Sequence, residues 1–190
     1  MKHRAALLLA VLCCVGCIDE FTTPLDPQPV GQLDPRLIGV WACVPTGPAS
    51  DFHPKDRDGR KGTFAVFEFG ASGPWYRIRT VGLDQADREE FWDAYPSTLG
   101  DRTVLNVWPN SDQPRKPDAR VLFFAQTWTA PDRFEFHLVM SKPLKGSPLS
   151  PAPALRNTLL ARASDPEVFK SWLDCTRAKV INSSETKKPF

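Results

Sequence analysis

Two short segments near the ends of the chain carry one shared constraint. Leu37-Ile38-Gly39-Val40-Trp41-Ala42-Cys43 reads as a β-strand, and Trp172 to Ala178 reads as another. Side chains alternate between the two faces of a strand, so Trp41 and Cys43 share one face and Cys175 and Arg177 share one face. If the segments pair antiparallel with Cys43 opposite Cys175, Trp41 falls opposite Arg177. The same register then allows a disulfide and an indole–guanidinium stack worth about 0.5–2 kcal/mol. It also brings the beginning and the end of a β domain side by side, as closure of a barrel requires. On the residues alone, Trp41 is equally well read as an ordinary core aromatic.

The segments between them are mostly strands. Thr63 to Phe69 and Trp75 to Val81 form a hairpin about Gly70 to Pro74. Thr103 to Trp108 is a further strand. Arg120 to Trp128 and Arg133 to Met140 form a second hairpin about Ala130-Pro131-Asp132. Asp84 to Tyr95 reads as a helix, with Asp84 as its cap, acids in its early turns and Pro96 as its stop. Ala154 to Ala163 reads as a short helix, and Asp165-Pro166-Glu167 as the opening of another helical turn. Ser141 to Pro153, with four prolines, is an irregular connection. About six strands, mostly neighbours in sequence, predict a mainly β fold: a small antiparallel meander barrel or strongly curved sheet with two or three short helices.

The first residues stand outside that domain. Lys2 and Arg4 precede an apolar run from Ala5 to Leu12 and a small-residue site at Val15-Gly16, the pattern of a secretory signal over residues 1–16. The sequence Cys14-Val15-Gly16-Cys17 resembles the lipobox of bacterial lipoproteins, with Cys14 where the family carries leucine. The resemblance implies that Cys17 becomes a lipidated N-terminus. Ile18 rather than aspartate follows it, which leans toward the outer membrane, with the domain facing the periplasm or the cell surface. Residues 17–35 then read as the lipidated cysteine plus a Pro-rich tether, 36–181 as the β domain and 182–190 as a polar tail.

With Cys13 and Cys14 leaving in the signal and Cys17 carrying lipid, Cys43 and Cys175 remain. An even pair in an oxidising compartment reads as a disulfide. Charge is equally simple. The chain has 24 Lys and Arg against 22 Asp and Glu, and removing Lys2 and Arg4 leaves 22 against 22. A neutral domain without a basic patch gives no electrostatic case for nucleic acid.

Gly39, Trp41 and Arg177 resemble the Gly-x-Trp of the first strand and the late arginine of the lipocalin and calycin group. That resemblance covers the two ends of the domain and the general run of strands. The Asp84–Tyr95 helix and a strand count below eight depart from it. It implies an antiparallel barrel with a central cavity or a packed centre, and a small apolar or amphipathic ligand. Phe67, Phe69, Trp75, Phe123, Phe134 and Phe136 are the candidate ligand-lining residues.

Catalytic motifs are not found, so no enzyme activity, cofactor or metal is expected. His53 lies among Asp51, Asp56 and Asp58, but Lys55, Arg57, Arg60 and Lys61 cancel their charge and the spacing fits no metal loop. His137 sits beside Glu135 and reads as an exposed strand histidine. Arg77 and Arg79 share a face with Trp75; turned inward they could hold a carboxylate or phosphate, and the outward placement is preferred because unpaired buried arginines are rare. Two functions follow as expectations. One is a lipid-anchored binding barrel. The other is a structural or assembly lipoprotein with a filled core, favoured if Trp92, Trp108 or Trp172 is exposed.

Overall fold

The computed structural model describes residues 20–46, 65–81, 89–109 and 120–178. Within them eight antiparallel strands follow one another around a closed barrel: β1 (Gly39–Pro45), β2 (Ala65–Ser72), β3 (Trp75–Val81), β4 (Glu89–Leu99), β5 (Arg102–Pro109), β6 (Leu122–Ala130), β7 (Arg133–Val139) and β8 (Phe169–Arg177). The barrel closes between β1 and β8, where Trp41 pairs with Arg177 and Cys43 with Cys175. Cys43 and Cys175 are joined by a disulfide across a sequence separation of 132. The register drawn from the two end segments is the one the fold adopts.

Two expectations are corrected. The segment read as a helix from Asp84 is a strand from Glu89 onward. The helical stripe lost to partners on another strand: Glu89 and Asp93 face out beside arginines of β3. Arg79 binds Glu89 at 2.7 Å and Arg77 binds Asp93 at 3.5 Å. Aromatic residues and cross-strand ion pairs favour the pleated arrangement. The helix content is also lower than expected: one α-helix, α1 (Ala152–Ala161), plus a single 3₁₀ turn at Lys142–Leu144, among the described residues. Asp165 to Val168 makes one hydrogen-bonded turn and does not propagate.

Burial divides into two layers separated by the barrel wall. The inner layer includes Trp41, Phe67, Phe69, Tyr76, Ile78, Phe124, Phe134, Phe136, Trp172 and Leu173. The outer layer gathers Tyr95, Val104, Trp108, Phe123 and Phe169 from the outside of the strands and covers them with Leu155 and Leu159 of α1. Leu144 and Val168 add to that cover, and so does the N-terminal segment, read from sequence as a spacer. From Glu20 onward it is strapped along the wall. Phe21 and Leu25 are 3% and 1% exposed. Phe21 and Val121 exchange both backbone hydrogen bonds, at 2.8 and 2.9 Å. Leu25 N–H donates to Asn106 Oδ1 at 2.9 Å, and Asn106 Nδ2 donates to Ser97 Oγ at 2.8 Å and the Tyr95 carbonyl at 3.2 Å. Prolines did not keep this segment away because two large apolar side chains reach the wall and a buried asparagine takes up an orphaned backbone N–H.

Candidate functional site

The site to weigh is the barrel interior and the end that closes it. At that end the chain turns through Asp34 to Leu37 before entering β1, and Leu37 is fully buried against the inner core. Trp41 Nε1 donates to the Leu37 carbonyl at 2.8 Å. Arg177 lies over the Trp41 ring, its guanidinium carbon 4.4 Å from the ring centroid. Its fork donates to the Ile38 carbonyl at 3.1 Å and to the Arg36 carbonyl. Gly39 completes the arrangement for two reasons. Its φ is +132°, and a Cβ there would stand 2.8 Å from Arg177 Nη1. Glycine alone tolerates both the backbone angle and the approach.

Asp34 ties the same plug to the rest of the rim. Its carboxylate accepts from Arg36 Nη2 at 2.7 Å and from Trp128 Nε1 at 3.2 Å. Its backbone N–H donates to the Tyr76 hydroxyl, which donates back to the Asp34 carbonyl at 3.3 Å. Partial burial pushes the Asp34 carboxyl up, but the hydrogen bonds and charge of Arg36, with the Trp128 indole, bring it below the ordinary carboxylate value. Burial pushes the Tyr76 hydroxyl up to about 12. This end of the barrel is therefore plugged by a hydrogen-bonded turn.

Above the plug the interior is aromatic on one side. Phe67 and Phe69 of β2 reach across to Phe136 of β7, with ring centroids 6.3 and 6.2 Å apart. Trp172 stands 4.9 Å from Phe124 and 6.4 Å from Phe67. The opposing walls, β3 to β5, offer Ile78, Thr80, Ala94, Leu105 and Val107. Two nitrogen donors inside the barrel, Gln126 Nε2 and Trp172 Nε1, are buried with no acceptor within hydrogen-bond reach among the described residues. Gln126 is 5% exposed and Trp172 1%. The ladder puts them two strands apart on the same wall: Gln126 pairs with Phe136, and Phe136 pairs with Leu173, the neighbour of Trp172. An unpaired buried donor costs about 1–3 kcal/mol, so two on one stretch of wall mark a place where an oxygen acceptor would be favoured.

The residues singled out from sequence are distributed unevenly. Gly39, Trp41 and Arg177 form the closing clasp. Phe67, Phe69, Phe134 and Phe136 face inward. Trp75 and Phe123 do not: Trp75 packs on Tyr95 and Trp108 at 4.7 and 5.9 Å, and Phe123 on Phe21 at 4.6 Å, all on the outside of the wall. Alternation explains it, since Phe124 and Tyr76 take the inward positions next to them. Arg77 and Arg79 are exposed on that outer face, paired with acids of β4 and, for Arg79, Glu68 of β2. His137 also faces out, partly covered, 3.6 Å from Glu135; burial lowers its pKa, and Arg102 acts in the same direction against the attraction of Glu135. No cluster of three or more metal-ligating side chains occurs among the described residues. Cys17 and His53 lie outside the described residues.

Gln126 and Asn106 carry no functional reading from the sequence, and Trp172 enters there only as a tryptophan whose exposure would favour a structural role. Gln126 occupies an inward position of the alternating run Leu122, Phe124, Gln126, Trp128, which is the signal that a glutamine is buried there. Trp172 had no such signal, because a bulge opposite Phe136 and His137 lets both Trp172 and Leu173 join the inner core. No family model, characterised protein or solved structure matches the chain.

Proposed function

We propose that the protein is a cell-envelope lipoprotein, held at the outer membrane through Cys17, whose barrel takes up a small amphipathic molecule without catalysing a reaction on it. The observation that carries this reading is the pair of buried donors, Gln126 Nε2 and Trp172 Nε1, on an otherwise aromatic inner wall. An apolar ligand body would lie against Phe67, Phe69, Phe124 and Phe136, and an ester, carboxylate or carbonyl oxygen would accept from the two nitrogens. The plug at Trp41 and Arg177 closes one end, as a small-ligand barrel needs. The resemblance of Gly39, Trp41 and Arg177 to the lipocalin group points the same way.

A second reading has its own support. The rings of Phe67, Phe69 and Phe136 meet across the interior, which suits a filled core and a role in binding another envelope protein. Its expected surface signature is weak: Trp108 and Trp172 are buried and Trp92 is half-buried. The deciding experiment is native mass spectrometry of protein extracted from its own membrane, followed by titration with a fluorescent fatty acid. The binding reading predicts a co-purifying adduct or saturable one-to-one uptake. A folded barrel that shows neither supports the filled-core reading, which crosslinking in cells would then pursue.

A further inference from the structure

We infer that the membrane lies against the end of the barrel where β6 begins, and that the Trp41–Arg177 clasp points away from the lipid. The inference rests on the anchored reading of Cys17 and follows from the strap. Phe21 is fixed to Val121 by two backbone hydrogen bonds, to Phe123 by a ring contact of 4.6 Å, and Glu20 is paired with Arg120 at 2.7 Å. Val121 directly precedes Leu122, the first residue of β6. Because neighbouring strands run antiparallel, that is also the end at which β1, β3 and β5 finish. From Phe21 the strap passes Leu25 on Asn106 and Asp26 on Arg156, then turns under the opposite end through Asp34 and Leu37.

Chain length does the rest. Phe21 lies four residues on from Cys17, a stretch that spans at most about 14 Å when fully extended. A strand of eight residues tilted as in small barrels spans roughly 20 Å along the axis. The anchor therefore reaches the near end of the barrel easily and the clasp end not at all. A flexible spacer over the whole of residues 17–35 would let the anchor reach either end; a strap fixed from Glu20 limits its reach to the end where β6 begins. The occupant of this face is a phospholipid bilayer, and the plugged end is presented to the aqueous side.

Spin labels on the full-length acylated protein test this. Arg120→Cys marks the near end and Asp132→Cys, in the β6–β7 hairpin, marks the clasp end. Each is labelled under non-reducing conditions, made without a polyhistidine tag and reconstituted in phosphatidylethanolamine–phosphatidylglycerol vesicles containing a minor fraction of nickel-chelating lipid. The nickel should enhance relaxation severalfold more at position 120 than at 132. Inserting a twenty-residue Gly-Ser spacer between Asp19 and Glu20 should erase that difference. Equal enhancement at the two positions in the acylated protein overturns the orientation and leaves the anchor standing. An intact mass without acyl chains on Cys17 overturns the anchored reading and the orientation together.

Discussion

Arg177 sits over the Trp41 ring at 4.4 Å while its fork holds the Ile38 and Arg36 carbonyls. One side chain from the last strand thereby fastens the turn that plugs the barrel. Lysine would keep the charge and lose both the flat stack and the fork. Arg177→Lys should lower stability by about 1–3 kcal/mol, and Arg177→Ala by more, because two carbonyls then lose their donor. Urea denaturation followed by near-ultraviolet circular dichroism would measure both.

Gly39→Ala tests the same clasp from the other side. The new Cβ would collide with Arg177 Nη1 and sit at a φ of +132°. A loss of about 1–3 kcal/mol is expected. In the Gly39→Ala, Arg177→Ala double variant the collision is gone but the backbone angle remains, so the two losses should sum to more than the observed total. A double-mutant cycle on unfolding free energies would read the coupling.

The legible parts of this fold are those governed by alternation and by pairing across the ends. Trp41, Cys43, Cys175 and Arg177 could be registered from sequence because a period of two admits one pairing for all four. The strand from Glu89 was hidden, since its partners, Arg77 and Arg79, lie on another strand and no local pattern shows them. The strap was hidden for the same kind of reason: what captures Leu25 is Asn106, 81 residues away. The buried donors were half visible. Gln126 keeps the alternation of β6, whereas Trp172 turns inward at a bulge that depends on β7.

Acid should weaken the fold in two steps. His137 has its pKa lowered by burial, so the unfolded chain takes up the proton first, and its contribution fades as pH falls through the ordinary histidine value of 6.5. Asp34 and Asp174 are held below the ordinary value of 3.8, for Asp34 by Arg36 against the opposing effect of burial and for Asp174 chiefly by Arg133. Their contributions are full above that value and disappear as pH falls through the folded-state pKa. Urea midpoints from pH 8 to pH 2 should therefore decline below neutrality and again in the carboxylate range. Asp34→Asn should be less stable than the native chain at pH 7 and approach it at pH 2.

Asn106→Ala should release the strap without opening the barrel. It leaves the Leu25 N–H, the Tyr95 carbonyl and Ser97 without a partner they now share, a loss of about 2–4 kcal/mol. Hydrogen exchange should show the amides of Phe21 and Leu25 losing protection while those of β7 and β8 keep theirs.

The binding claim stands on Gln126 and Trp172, and Gln126→Leu separates stability from function. Removing a buried amide whose nitrogen has no acceptor should leave the ligand-free protein as stable as before or more so. Affinity for an amphipathic ligand should fall about tenfold, the equivalent of 1.4 kcal/mol.

The most direct measurement is the indole N–H resonance of Trp172, assigned with Trp172→Phe, during titration with a long-chain fatty acid. A saturable downfield shift of that one resonance is expected as its nitrogen gains an acceptor, with the Trp41 indole, already bonded to Leu37, left in place. Saturating ligand that leaves the Trp172 resonance unmoved would contradict the binding claim.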